Sequence, residues 1–270
     1  MNELPPDAAG ISGSDAVRTA IGRTAPGIVF AALLATISHA ADLKLISANG
    51  MRDVIAETRA DFEAKTGNRL TVVVVETGEI RRRILGGEDF DVVTVPREVA
   101  DEFEKAGKIV AGSAVSLTRI TFGFAVPVDS PRPDISTPDA LKRTLLAART
   151  VLITDPATGG ISGVQFVDVL KRLGITDEMK DKVVPNPGGS FHARRVVQGE
   201  ADLAFQAEHE IRCVKGATFL PLPPQFQRTI IFAGGVSTAS KNQSAANAYL
   251  SFVTGSQTAN TYSAHCLTQG

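Results

Sequence analysis

Short apolar runs alternate along the chain with longer stretches in which apolar residues recur every three or four positions. The first pattern predicts buried strands and the second amphipathic helices. Residues 43–47 read as a strand, and Asn49 as the cap of a helix running to about residue 65. Gly67 follows where a left-handed residue is wanted. Residues 70–75, rich in β-branched side chains, suit a pleated, buried sheet. A helix over 80–85, a strand over 90–95 and a helix over 98–106 complete a first set. In a second set Thr137-Pro138 opens a helix, with Thr as cap and Pro at the first helical position. Then come a strand over 151–154, helices over 161–173 and 191–198, and strands over 201–206 and 217–220. The run 229–236 and helices near 245–254 and 257–265 finish the chain. Such alternation predicts an α/β protein with mostly parallel sheets covered by helices.

Two long β-like runs, 119–126 and 229–236, bracket the second set and read as crossings between two lobes. Residues 41–122 with 232–270 are expected to form lobe 1, and 123–231 lobe 2. A two-lobed α/β protein places its ligand in the cleft between lobes, at strand C-termini.

The first forty residues form a different pattern. Arg18 and Arg23 precede an apolar run over 28–37, and Ser38 and Ala40 supply a small-x-small site. These are the parts of a secretory signal peptide, expected over 1–40 with cleavage near Ala40. Residues 1–15 are acidic and long for such a signal. The apolar run is about half the length a membrane span needs, roughly 18 residues or more. An exported, periplasmic protein that is not membrane-embedded is expected. In an oxidising compartment Cys213 and Cys266 either pair or remain two free thiols; the sequence leaves both open.

Composition narrows the chemistry. With 43% hydrophobic and 21% charged residues the chain is no disordered segment. The 28 basic and 29 acidic side chains nearly cancel, which leaves no basic surplus for nucleic acid. No Trp and only two Tyr are present, so stacking platforms are scarce. Four His and two Cys without C-x-x-C or H-E-x-x-H spacing point to no metal and no cofactor.

Four strand-to-helix turns carry the candidate site: residues 47–52, 76–79, 155–163 and 205–210. Small residues there let a ligand approach the unpaired N–H groups of a helix's first turn, which favour an anion. Asn49, Gly50, Met51, Thr77, Gly78, Thr158, Ser162 and Gln206 belong to these turns. Arg52 and Arg194 offer bidentate donors to carboxylates. His209 beside Glu208, with His192 on the preceding helix, is the candidate acid–base group if the cleft performs catalysis.

The opening strand and helix, Phe62-Glu63-Ala64-Lys65-Thr66-Gly67, Phe90-Asp91-Val92-Val93, the stretch 155–163 and Gly199-Glu200-Ala201-Asp202 resemble the type II periplasmic solute-binding proteins. Within these the chain is similar to the molybdate-binding branch of ABC importers, a branch that also includes aconitate isomerase-like enzymes. The resemblance implies a monomeric, two-lobed receptor for a small anion, with an ABC permease as partner. In that branch a Ser in each of the first two turns and a Tyr in the fourth hold the oxyanion. This chain has Gly50, Thr77 or Gly78, and Gln206 there, with Arg52 added. That exchange points from molybdate toward an organic di- or tricarboxylate. The alternative it implies is an isomerase of a small unsaturated carboxylic acid.

Overall fold

A computed structural model describes residues 40–186 and 192–270. The expected signal segment, Ala40 apart, and the start of the helix expected over 191–198 lie outside the described residues.

The chain builds two five-stranded sheets. The strands are β1 (Asp42–Ser47), β2 (Arg69–Val74), β3 (Val92–Pro96), β4 (Val115–Ile120), β5 (Phe122–Pro127), β6 (Val151–Thr154), β7 (Val183–Asn186), β8 (Leu203–Ala207), β9 (Ala217–Pro221) and β10 (Ile230–Val236). The first sheet has the order β2-β1-β3-β10-β4 and the second β7-β6-β8-β5-β9. Both follow one plan. Three strands at one edge run parallel, the fourth is reversed, and the fifth returns to the original direction. The reversed strand of each sheet, β10 or β5, is the one that has just arrived from the other lobe.

The crossings differ in detail from their sequence expectation. The run 119–126 is two strands, one in each sheet, with Thr121 between them. β4 is half exposed and β5 almost wholly buried, but buried Ile120 and Phe122 stand on either side of Thr121, so the apolar pattern continues through the change of sheet. The run 229–236 lies within the first sheet as β10, and the return crossing is 222–229. Gln227 ties the crossings together: its Oε1 accepts from Phe122 N at 3.2 Å and its Nε2 donates to Phe122 O at 3.0 Å. β7 was not anticipated; it is a half-exposed edge strand without an apolar run.

The helices are α1 (Arg52–Thr66), α2 (Thr77–Leu85), α3 (Arg97–Lys105), α4 (Pro138–Ala147), α5 (Ile161–Leu173), α6 (Thr176–Met179), α7 (His192–Val197), α8 (Glu208–Arg212), α9 (Gln243–Thr254) and α10 (Ala259–Ala264). α1 ends at Gly67 in the left-handed region, φ 74°, as the sequence predicts. Thr137 caps α4 by accepting from Ala140 N, with Pro138 in its first turn. Asn49 does not cap α1. It lies inside a 3-10 turn, Asn49–Met51, and its side chain is spent elsewhere. Phe62 of α1 meets Tyr249 of α9 edge-on at 5.2 Å in the first lobe; Phe124, Phe166 and Phe205 cluster in the second. Cys213 and Cys266 form a disulfide, Cα to Cα 5.8 Å.

Candidate functional site

Turns at strand C-termini converge on a cleft between the two sheets. Asn49 and Gly50 follow β1, and Glu76 and Thr77 stand where β2 passes into α2. Opposite them are Thr154 at the end of β6, Ser162 in the first turn of α5, and His209 and Glu210 on α8. Ile120, Phe122 and Phe232, near the crossing, supply apolar lining. The cavity these residues enclose is small, about 40 Å³, so the lobes stand closed. Gly78 and Gly159 show how closely. A Cβ on Gly78 would fall 2.9 Å from Gly159 Cα, and one on Gly159 would fall 2.6 Å from Gly78 Cα.

The polar groups are partly satisfied. Asn49 Nδ2 donates to Glu76 Oε1 at 2.7 Å, and Ser162 Oγ to Thr154 Oγ1 at 2.9 Å. Thr77 Oγ1 and His209 Nδ1, one from each lobe, are buried without a protein partner among the described residues. Buried polar atoms of folded proteins are nearly always hydrogen-bonded, so such a pair facing one cleft marks places for ligand or water. The unpaired N–H groups in the first turns of α2 and α5 add donors.

A second compartment of about 90 Å³ adjoins the first and shares His209 and Glu210 with it. Arg52, Asp53, Arg194 and His265 complete its charged lining. Arg52 Nε donates to Asp53 Oδ1 at 3.0 Å, which raises the arginine's pKa. Burial alone would raise the Asp53 carboxyl; the bond and charge of Arg52 outweigh it and hold Asp53 below the usual range. Burial pushes Glu210 up to about 7, against the opposing pull of Arg52, and pushes His209 down to about 4. Burial also raises Glu76, offset in part by the Asn49 bond. At neutral pH His209 is therefore uncharged, and Glu210 holds its proton well above the usual carboxylate range. On the other side of the cleft, Asn49, Glu76, Arg82, Ala157 and Thr158 border an open groove.

The residues singled out in the sequence are dispersed around this centre. Asn49, Gly50, Thr77, Ser162 and His209 line the inner compartment, and Arg52, Arg194 and His209 the second. Thr158 borders the outer groove and Gly78 packs on Gly159. Met51 is buried in the core of the first lobe. His192 and Gln206 are fully buried. Gln206 Oε1 accepts from Ala193 N at 2.8 Å, and its Nε2 donates to Glu210 Oε2 at 3.3 Å, so it reaches the cleft through Glu210. Glu208 turns toward the crossing: its N–H donates to Thr121 O at 2.8 Å, and its carboxylate contacts Thr121 Oγ1 and pairs with Arg212. Glu76, Thr154, Asp53 and His265 were not selected from the sequence. Glu76 had a signal, its place as the first residue of the candidate turn 76–79, directly after a predicted strand; Asp53 and His265 had none, because only folding brings the C-terminus beside α1. Among the described residues no cluster of His, Cys, Asp or Glu could hold a metal.

Two lobes of this topology, closed over a polar cleft at strand C-termini, define a type II periplasmic binding protein. The chain belongs to the family of bacterial extracellular solute-binding proteins, whose model matches residues 43–265. It is 30% identical over 219 residues to aconitate isomerase of a Pseudomonas species, covering 78% of this chain and 81% of that one. It is 25% identical over 230 residues to the molybdate-binding protein ModA of Azotobacter vinelandii, covering 83% and 89%. The solved periplasmic molybdate-binding protein of A. vinelandii superposes with a TM-score of 0.63 at 18% identity, over 83% of this chain and 98% of that one. The periplasmic binding protein AfuA of Actinobacillus pleuropneumoniae, with fructose-6-phosphate bound, superposes at 0.70 with 12% identity, over 85% and 84%. At those identities the two structures share the fold and no more.

Proposed function

We propose that this protein is exported to the periplasm and closes over a small organic di- or tricarboxylate. The observation that carries this reading is the pair of adjoining compartments joined at His209 and Glu210. One offers hydroxyl, amide and helix-terminal donors; the other offers two arginines. An elongated ligand with carboxylates at both ends uses both, whereas a compact tetrahedral oxyanion fills one. Gly50 supports the same reading. The ring of Phe232 occupies the space a side chain there would need, its Cζ 2.6 Å from a built Cβ, so this turn offers no hydroxyl.

A second reading, that the protein also isomerises its ligand, is favoured by Glu210. A receptor needs no group titrating near neutrality between its two anion-binding ends, whereas proton transfer at a carbon α to a carboxylate does. Ionised Glu210 would take that proton, the double bond would shift along the carbon chain, and the resulting carboxylic acid would return the proton at the far carbon. Atoms and charge balance with no further reactant. Similarity to an aconitate isomerase supports this reading, and similarity to a molybdate-binding protein of importers supports a receptor handing its ligand to an ABC permease.

Calorimetry with trans-aconitate, cis-aconitate, citrate, molybdate and tungstate tests the first reading. At least one carboxylate is expected to bind tenfold or more tighter than molybdate. Sub-micromolar molybdate affinity with no carboxylate binding would overturn it. Proton NMR of trans-aconitate incubated with the protein tests the second, through formation of cis-aconitate; no cis-aconitate would overturn it.

A further inference from the structure

The Cys213–Cys266 bridge joins the two lobes. Cys213 follows α8, which packs on β5, β8 and β9 of the second sheet. Cys266 follows α10, which packs on α1, and the tail beyond it is pinned to β4 of the first sheet. Gln269 bridges Thr118, Gly270 N donates to Leu117 O at 2.8 Å, and Thr118 Oγ1 donates to Thr268 O at 2.7 Å. The lobes are thus connected three times, by the strand crossing at Thr121, by the return over 222–229, and by a covalent link beside the arginine-lined compartment. Cys266 is, among the described residues, the only non-glycine with positive φ, at 56°. Outside glycine that conformation is uncommon and persists where surrounding structure enforces it.

We infer that this disulfide is an interlobe tether that positions α8 and decides how the cleft opens. α8 carries His209 and Glu210, and the bridge begins one residue beyond its last turn, at a compartment that Cys213 itself lines. In a hinged protein joined only by chain crossings, the lobes part along the whole length of the cleft. Here the arginine-lined end is held, and the lobes part by rotating about a line from the crossing to the bridge. The free end is the groove bordered by Glu76, Arg82, Ala157 and Thr158, where no covalent link exists between the sides; ligand enters and leaves there. His209 and Glu210 stay registered against Arg52 through the cycle, so the second compartment remains assembled before ligand arrives.

Ligand-free protein tests this without reference to any ligand, so failure here leaves the carboxylate reading untouched, and the reverse. Pulsed EPR distances would be measured between spin labels on two cysteine pairs, Lys215→Cys with Ser263→Cys beside the bridge, and Arg82→Cys with Ala157→Cys at the groove. All four positions are solvent-facing. With the bridge intact, a narrow distribution is expected at the first pair and a broad one at the second. In the Cys213→Ser/Cys266→Ser background the first pair should broaden and lengthen by several ångströms. An unchanged distribution at the first pair would overturn the tether, as would a narrow second pair beside a broad first one with the bridge in place. Were the double variant not to fold, mild reduction of the native disulfide followed by small-angle scattering replaces it: an increased radius of gyration with unchanged far-UV circular dichroism is expected, and no change counts against the inference.

Discussion

Glu210 and His209 are neighbours in sequence with opposite responses to burial. The folded-state pKa of Glu210 rises from 4.5 to about 7. Its contribution to stability is therefore full below pH 4.5 and lost as pH rises through 7. His209 falls from 6.5 to about 4, so its neutral burial costs nothing above pH 6.5 and costs progressively more as pH drops through 4. Between pH 4.5 and 6.5 folding takes up one proton at Glu210 and releases one at His209. The two slopes cancel. Each is worth about 2–3 kcal/mol across its window, after a discount for the partial exposure of Glu210. Glu210→Gln should remove one slope and expose the other. Urea unfolding is expected to show the stability of the variant, relative to the native protein, rising by about 2–3 kcal/mol from pH 4.5 to 6.5. Above pH 7 the variant should be the more stable of the two, since no desolvated carboxylate remains. A variant that follows the native curve would mean the carboxyl is solvated.

The start of α2 and the turn after β6 meet through glycines, and that contact is a requirement of closure rather than of either element. Alanine at Gly78 has an ordinary helical position but places its Cβ 3.0 Å from Thr158 O as well as against Gly159. The obstruction is backbone on the far side, which cannot rotate away. Gly78→Ala should leave the melting temperature of ligand-free protein within a few degrees, because alanine is favourable inside a helix. Affinity for the carboxylate identified by calorimetry should fall at least tenfold, as the lobes can no longer meet. Retained affinity would show that ligand binds to a more open arrangement. Scanning the sequence for turn chemistry finds both glycines as turn formers. It cannot show that they face each other, since 81 positions separate them and only the packing of the lobes brings them together.

For the molecule as a whole, binding between lobes links ligand to stability. A ligand at ~100 times its dissociation constant adds about 2.7 kcal/mol. For a chain of this size that corresponds to a rise in melting temperature of about 5–11 °C. A thermal-shift series with trans-aconitate, citrate and molybdate should show that rise for a carboxylate, accompanied by a modest fall in radius of gyration. A shift for molybdate alone would contradict the proposed ligand class.

Periodicity along the chain was enough to place most of the buried strands and long helices and the two-lobed plan. Those properties are local: a β-branched run, a Gly at a helix end and a Thr-Pro start depend on residues within a turn of one another. Short or half-exposed pieces such as β7 and α6 escaped because their apolar signal is weak. The change of sheet at Thr121 escaped because buried apolar residues, Ile120 and Phe122, stand on both sides of it. The chemistry of the cleft was legible only as a set of candidates. Whether Gln206 faces a ligand or supports Glu210, whether two cysteines 53 residues apart meet, and whether a carboxyl loses its water depend on which distant surfaces are brought into contact. Desolvation and pairing across lobes are properties of that contact, and no stretch of residues carries them alone.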